Sequence, residues 1–155
     1  MPKVIVPEEE LVSFAKTYLK EKGFRKKSKR WTKTEKDFTL VFYIQGSQWD
    51  RNDYYIRPGV FINELNSDDL VYGHFMTEIE ADSIEQIFDD LNVFFSEYTN
   101  KKLLKERVAS FIEWDKRNPI EKRRAGEVDH VDDPMPFREM FAVPTEVLKY
   151  VIENF

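Results

Sequence analysis

The chain has 155 residues, of which 41% are hydrophobic, 15% aromatic and 34% charged, and its formal net charge is -5 at pH 7. That apolar content argues against disorder, and a mean hydropathy of -0.58 argues against a membrane protein, which leaves a soluble globular chain of a size one core commonly organises. Cysteine is absent, so no disulfide framework or thiolate chemistry enters, and the first residues hold only a three-residue apolar run with no signal-peptide pattern. A cytoplasmic location is expected.

Pro7 followed by Glu8, Glu9 and Glu10 opens a helix, because proline suits the first turn and carboxylates there face the positive end of the helix dipole. Leu11, Phe14 or Ala15, Tyr18 and Leu19 recur at helical spacing, and Gly23 supplies a stop, so the helix runs over 8–22. Residues 24–35 read as one strand, joined through a turn at Glu35-Lys36-Asp37 to the strongest strand in the chain, 38–45. Leu40, Phe42 and Ile44 alternate there with Val41 and Tyr43, and apolar residues on both faces predict an interior strand. After a polar turn over 46–53, a strand over 54–65 carries Ile56, Val60 and Ile62. Its Pro58-Gly59 predicts a bulge or a sheet edge. A short strand over 71–79 completes the sheet.

The second half reads as helical. Ser83 and Gln86 form a capping box, and Ile84, Ile87, Phe88, Leu91, Phe95 and Tyr98 line one face of the helix that follows. A further helix over 102–116 ends before Asn118-Pro119. Residues 118–136 read as a charged surface loop, and Pro144-Thr145 starts a last helix with Val147, Leu148, Val151, Ile152 and Phe155 as its stripe. The expectation is one α+β domain over 1–155: an N-terminal helix, an antiparallel meander of about four strands, and C-terminal helices packed on the sheet.

Charge is sorted along the chain. Residues 1–30 hold nine Lys/Arg against four Asp/Glu, whereas residues 64–100 hold ten acids and no base. Such blocks either neutralise each other in the fold or present opposed faces to partners. The basic run from Arg25 to Arg30, followed by Trp31, has the composition of a single-strand nucleic-acid platform, but nucleic-acid modules are basic overall and this chain is acidic. Lysine and arginine on a strand also protect a sheet edge, so no tight nucleic-acid binding is expected.

Other chemistry is sparse. His130, within Glu127-Val-Asp129-His130-Val-Asp132-Asp133, sits among metal-ligand types, but the stretch lacks the glycine of a calcium loop and reads as solvated. His74, in an expected strand, reads as a packing or hydrogen-bonding residue. No serine has a nucleophile-elbow context and no glycine-rich loop is present to cradle phosphate, so no catalytic residue, metal or cofactor is assigned.

The motifs "GFRKKSKRW", "YIQGSQW" and "PGVFI" resemble the bacterial domain of unknown function 4304 family over about residues 8–65. The matching positions are Gly23-Phe24, Lys26-Lys27, Trp31, Gln45, Ser47, Trp49 and Gly59-Val60. The resemblance implies no activity; it gives a reason to treat Trp31, Gln45, Ser47 and Trp49 as a unit, which either locks the sheet or forms a pocket for a ligand or partner. The expected function is a non-catalytic, cytosolic protein-binding module, of the immunity or antitoxin kind, meeting a basic protein partner through Glu78, Glu80, Asp82, Glu85 and Asp89. No membrane association is expected. The alternative is an enzyme acting on nucleotides or nucleic acid through the Trp31/Gln45/Trp49 region.

Overall fold

The computed structural model describes residues 6–46, 53–65, 73–119, 121–122, 125–126, 134 and 143–155. The chain divides into two compact units, Met1–Thr99 and Asn100–Phe155. The first holds α1 (Glu8–Glu21), β1 (Arg25–Lys27), β2 (Arg30–Thr34), β3 (Phe38–Gly46), β4 (Tyr54–Ile62), β5 (Phe75–Met76) and α2 (Ile84–Tyr98). The strands form a five-stranded antiparallel meander in the order β1-β2-β3-β4-β5. The class is α+β, and β3 is its middle strand, as two-sided apolarity predicts.

One more strand exists than the sequence pattern indicates. The expected single strand over 24–35 is a tight hairpin: Lys27 pairs with Arg30, and Ser28 turns the chain at φ 58. A β-carbon makes that left-handed conformation costly for most residues, so it is not anticipated at a serine.

α1 ends as its sequence indicates. Gly23, at φ 92, lets Phe24 N–H reach Leu19 C=O at 2.9 Å and Gly23 N–H reach Lys20 C=O at 3.0 Å, the paired closure of a Schellman motif. This reversal sends the chain from α1 directly into the β1 edge.

The Pro58-Gly59 pair makes no bulge in β4, which continues through Phe42↔Pro58 and Val41↔Gly59. His74, Thr77 and Ile79 donate their N–H groups to the carbonyls of Val60, Pro58 and Ile56 at 2.9, 3.1 and 3.0 Å, so the even residues of β4 turn their backbone toward β5. The donor that Pro58 lacks is therefore missing only on the β5 side. There the ladder is two residues long, followed by an isolated bridge between Ile56 and Ile79. The expected strand over 71–79 shrinks accordingly, and its first two residues lie outside those described.

The core of this unit lies on one sheet face. Phe38, Leu40, Phe42 and Ile44 of β3 are buried with Trp31, Ile56, Val60, Ile62 and Phe75. The two helices cover that face: Phe88 of α2 meets Phe42 edge-on at 5.6 Å and touches Phe14 and Tyr18 of α1 at 5.1 and 4.6 Å. Ser83 caps α2 by accepting from Gln86 N–H at 3.1 Å.

In the second unit, α3 (Lys101–Arg117) and α4 (Thr145–Asn154) pack together. Asn100 caps α3 through Leu103 N–H at 3.1 Å, and the buried stripes are Leu104, Val108, Phe111 and Trp114 on α3 and Val147, Leu148 and Val151 on α4. Most of the expected loop over 118–136 lies outside the described residues.

Candidate functional site

Strand parity separates residues that the sequence motifs group together. Trp31 pairs with Phe42 and its ring lies tilted against the Phe42 ring at 5.6 Å, so it belongs to the helix-covered face, and it is only 1% exposed. Gln45 is three residues beyond Phe42 and pairs with Tyr55, which puts it on the opposite face. The expected unit of Trp31 and Gln45 is therefore split by the sheet; Ser47 and Trp49 lie outside the described residues.

Gln45 instead joins a polar cluster on that second face. Arg57, beside it on β4, donates through Nε to Glu78 Oε1 at 2.8 Å and through Nη1 to Gln45 Oε1, and its Nη2 lies 2.7 Å from Glu78 Oε1. Its guanidinium sits 4.7 Å from the centre of the Tyr55 ring. The side chains of Arg57 and Glu78 are 12% and 3% exposed. Glu78, expected in a solvent-facing stripe, is thus an internal partner: the Ile56–Ile79 bridge places its position opposite Arg57. The cluster ties β3, β4 and the segment after β5 together.

His74 closes the same edge. Its Nδ1 accepts from Ile62 N–H at 2.8 Å, and its ring stands edge-on to Phe61 at 5.4 Å. A buried imidazole so engaged serves the ladder, as its sequence context suggests.

Two charged surfaces stand out among the described residues. The first runs from the segment before α2 onto the helix itself, where Glu80, Asp82, Glu85 and Asp89 are exposed and none forms an ion pair with a described residue. Four of the five acids expected in the stripe are therefore accessible.

The second is a groove of about 740 Å³ between α1 and the β1–β2 hairpin. Phe24 and Trp31, both buried, belong to its lining. Lys16 and Lys20 of α1 and Arg25 and Lys26 of β1 surround them, with Glu21 as the single acid. Lys26 Nζ lies 5.6 Å from the centre of the Trp31 ring. Sequence reasoning saw the cations of β1 but missed those of α1. The available signal was the i, i+4 spacing of Lys16 and Lys20, one turn before a glycine stop that folds α1 back on β1.

Among the described residues, no group of three or more His, Asp or Glu side chains is placed to hold a metal ion, and no helix is long and apolar enough to cross a membrane. The His130 cluster lies outside those residues.

The first unit is thus an antiparallel meander with two helices on one face, a closed polar cluster on the other, and an acidic and a basic surface. Residues 15–89 match the family model described as domain of unknown function (DUF4304). The matched segment runs from within α1 to within α2 and contains the whole sheet. Comparison with curated proteins and with solved structures returned no match.

Proposed function

We propose that this protein is a non-catalytic, cytosolic binding module that captures a basic protein partner along the acidic margin of α2, in the manner of an immunity protein masking a charged cleft. The supporting observation is that Glu80, Asp82, Glu85 and Asp89 all face solvent without an ion pair to a described residue. Two of them, Glu85 and Asp89, follow the outer side of a helix whose inner side, Ile87, Phe88, Leu91, Phe94 and Phe95, is committed to the core, and Glu80 and Asp82 lie in the segment that leads into it. Such a margin costs the fold little and leaves its field available to a cation-rich surface.

The alternative enzyme reading needs Trp31 and Gln45 to meet at one substrate, and they lie on opposite faces of the sheet. The test is association kinetics with a partner purified from the native host. The Glu85→Lys/Asp89→Lys variant is expected to slow association several-fold at low salt and to lose that difference as salt rises. A purified partner that associates equally fast with both forms at every salt concentration overturns the assignment of this margin.

A further inference from the structure

We propose that the groove between α1 and β1 is a second docking site, which takes an extended acidic peptide segment of another protein as an added strand on the β1 edge. This inference does not depend on the α2 margin, which is another surface of opposite charge.

The geometry begins with the sheet order. β1 is an outermost strand, and α1 lies across the groove from it, the arrangement in which a peptide can pair with a strand edge while a helix flanks its other side. Ile44 N–H donates to Lys29 C=O at 3.0 Å, so odd residues of the β2 strand line turn their backbone toward β3. Arg30 and Thr32 then face β1, where their partners are Lys27 and Arg25. Lys26, between those partners, is left with its N–H and C=O turned outward, as one complete pairing position on the edge.

Charge selects what pairs there. Lys16, Lys20 and Arg25 are exposed and form no ion pair with a described residue, and Lys26 adds a fourth cation against the lone carboxylate of Glu21. A second copy of this chain adding edge to edge brings Arg25, Lys26 and Lys27 against themselves, and like charges across strands repel. An acidic strand meets the opposite situation. Below the rim, the Trp31 indole N–H is buried without an acceptor among the described residues, so the groove lining holds a donor that its own fold leaves unused. The Trp31 and Phe24 rings are 1% and 8% exposed, so neither presents a face on which a nucleic-acid base could stack.

The experiment uses the full chain and a fluorescein-labelled peptide alternating glutamate with valine. Controls are a block-ordered peptide of the same composition, the lysine–valine counterpart and single-stranded oligothymidylate. The expected result is saturable binding of the alternating acidic peptide, slowed hydrogen exchange at the Lys26 amide on binding, and about tenfold weaker binding by Lys16→Glu/Lys20→Glu. Both substituted positions are exposed, and circular dichroism checks that the variant is folded. Three outcomes overturn the proposal: no binding of the alternating peptide, equal binding of the block peptide with an unchanged Lys26 amide, or preferred binding of the oligonucleotide.

Discussion

Arg57 Nη2 stands 2.7 Å from Glu78 Oε1, and both side chains are largely withdrawn from solvent. A pair in this position stabilises only while both members are present, because an unpaired charge keeps its desolvation cost and loses its compensation. Glu78→Ala is expected to destabilise the fold by about 3 kcal/mol. Arg57→Met with Glu78→Leu should recover most of that loss, since matched apolar groups leave no orphaned charge. Denaturant unfolding of Arg57→Met, Glu78→Leu and the double variant checks this; additive losses sink it.

Phe42 has no exposed surface, and its ring meets Trp31 and Phe88 at 5.6 Å each. It therefore links β2, β3 and α2, and its truncation opens a cavity that rigid neighbours cannot fill. Phe42→Ala should cost about 3–5 kcal/mol, and Leu40→Ala about 2–5 kcal/mol. Melting curves that do not move with either substitution would remove β3 from the centre of the core.

Gly73 has φ 134, and a β-carbon built on it would lie 2.7 Å from the backbone nitrogen of Val60. Neither the torsion nor the contact can relax cheaply, because β4 is held by β3 on its other side. Gly73→Ala is expected to destabilise by more than the ~1 kcal/mol typical of a glycine replacement at a strained turn. Weakened hydrogen-exchange protection at the His74 amide, which bonds Val60 C=O, should accompany it. A variant as stable as the parent argues against this packing.

These cases show which features a local pattern carries. The β3 strand and α2 were legible because alternation and helical spacing report burial directly, as Leu40, Phe42, Phe88 and Leu91 do. The Ser28-Lys29 turn was not, since neither residue carries the glycine or asparagine signal of a two-residue hairpin. Glu78 reads as surface charge in the sequence because its partner is 21 residues away, and only the register of β4 against the segment after β5 brings them together. The same dependence on register separated Trp31 from Gln45. The exposure of Glu85 and Asp89 was legible because the outer side of a helix follows from its apolar stripe alone.

Nucleic-acid affinity should be weak in spite of the Arg25 to Arg30 run. Trp31 is buried, Lys29 is engaged by Glu8, and the acidic margin of α2 repels a polyanion. Gel shifts with single-stranded DNA at about 0.15 M salt are expected to show no sub-micromolar complex, and residual binding should vanish as salt rises.

The last prediction concerns alkaline pH. The Tyr54 hydroxyl donates to the Val6 carbonyl, pinning the segment before α1 to the sheet. Burial, then the Glu8 and Glu10 carboxylates, push its phenol up from 10.0 to about 12. The protonated form is thus the one the fold prefers. Below pH 10 the phenol is neutral in both folded and unfolded chains, and its contribution is fully present. Between pH 10 and about 12 the unfolded chain ionises first, so stability falls through that window and the contribution is lost as pH passes the folded value. A displacement of this size corresponds to about 2–3 kcal/mol. Tyr54→Phe lacks the ionisation, so it should be about 1 kcal/mol less stable near neutrality and should lose less stability above pH 10. Urea unfolding of both proteins from pH 8 to 12 isolates this group, because every other residue is common to the two. Parallel stability curves across the whole range would show that Tyr54 does not hold the N-terminal segment through its hydroxyl.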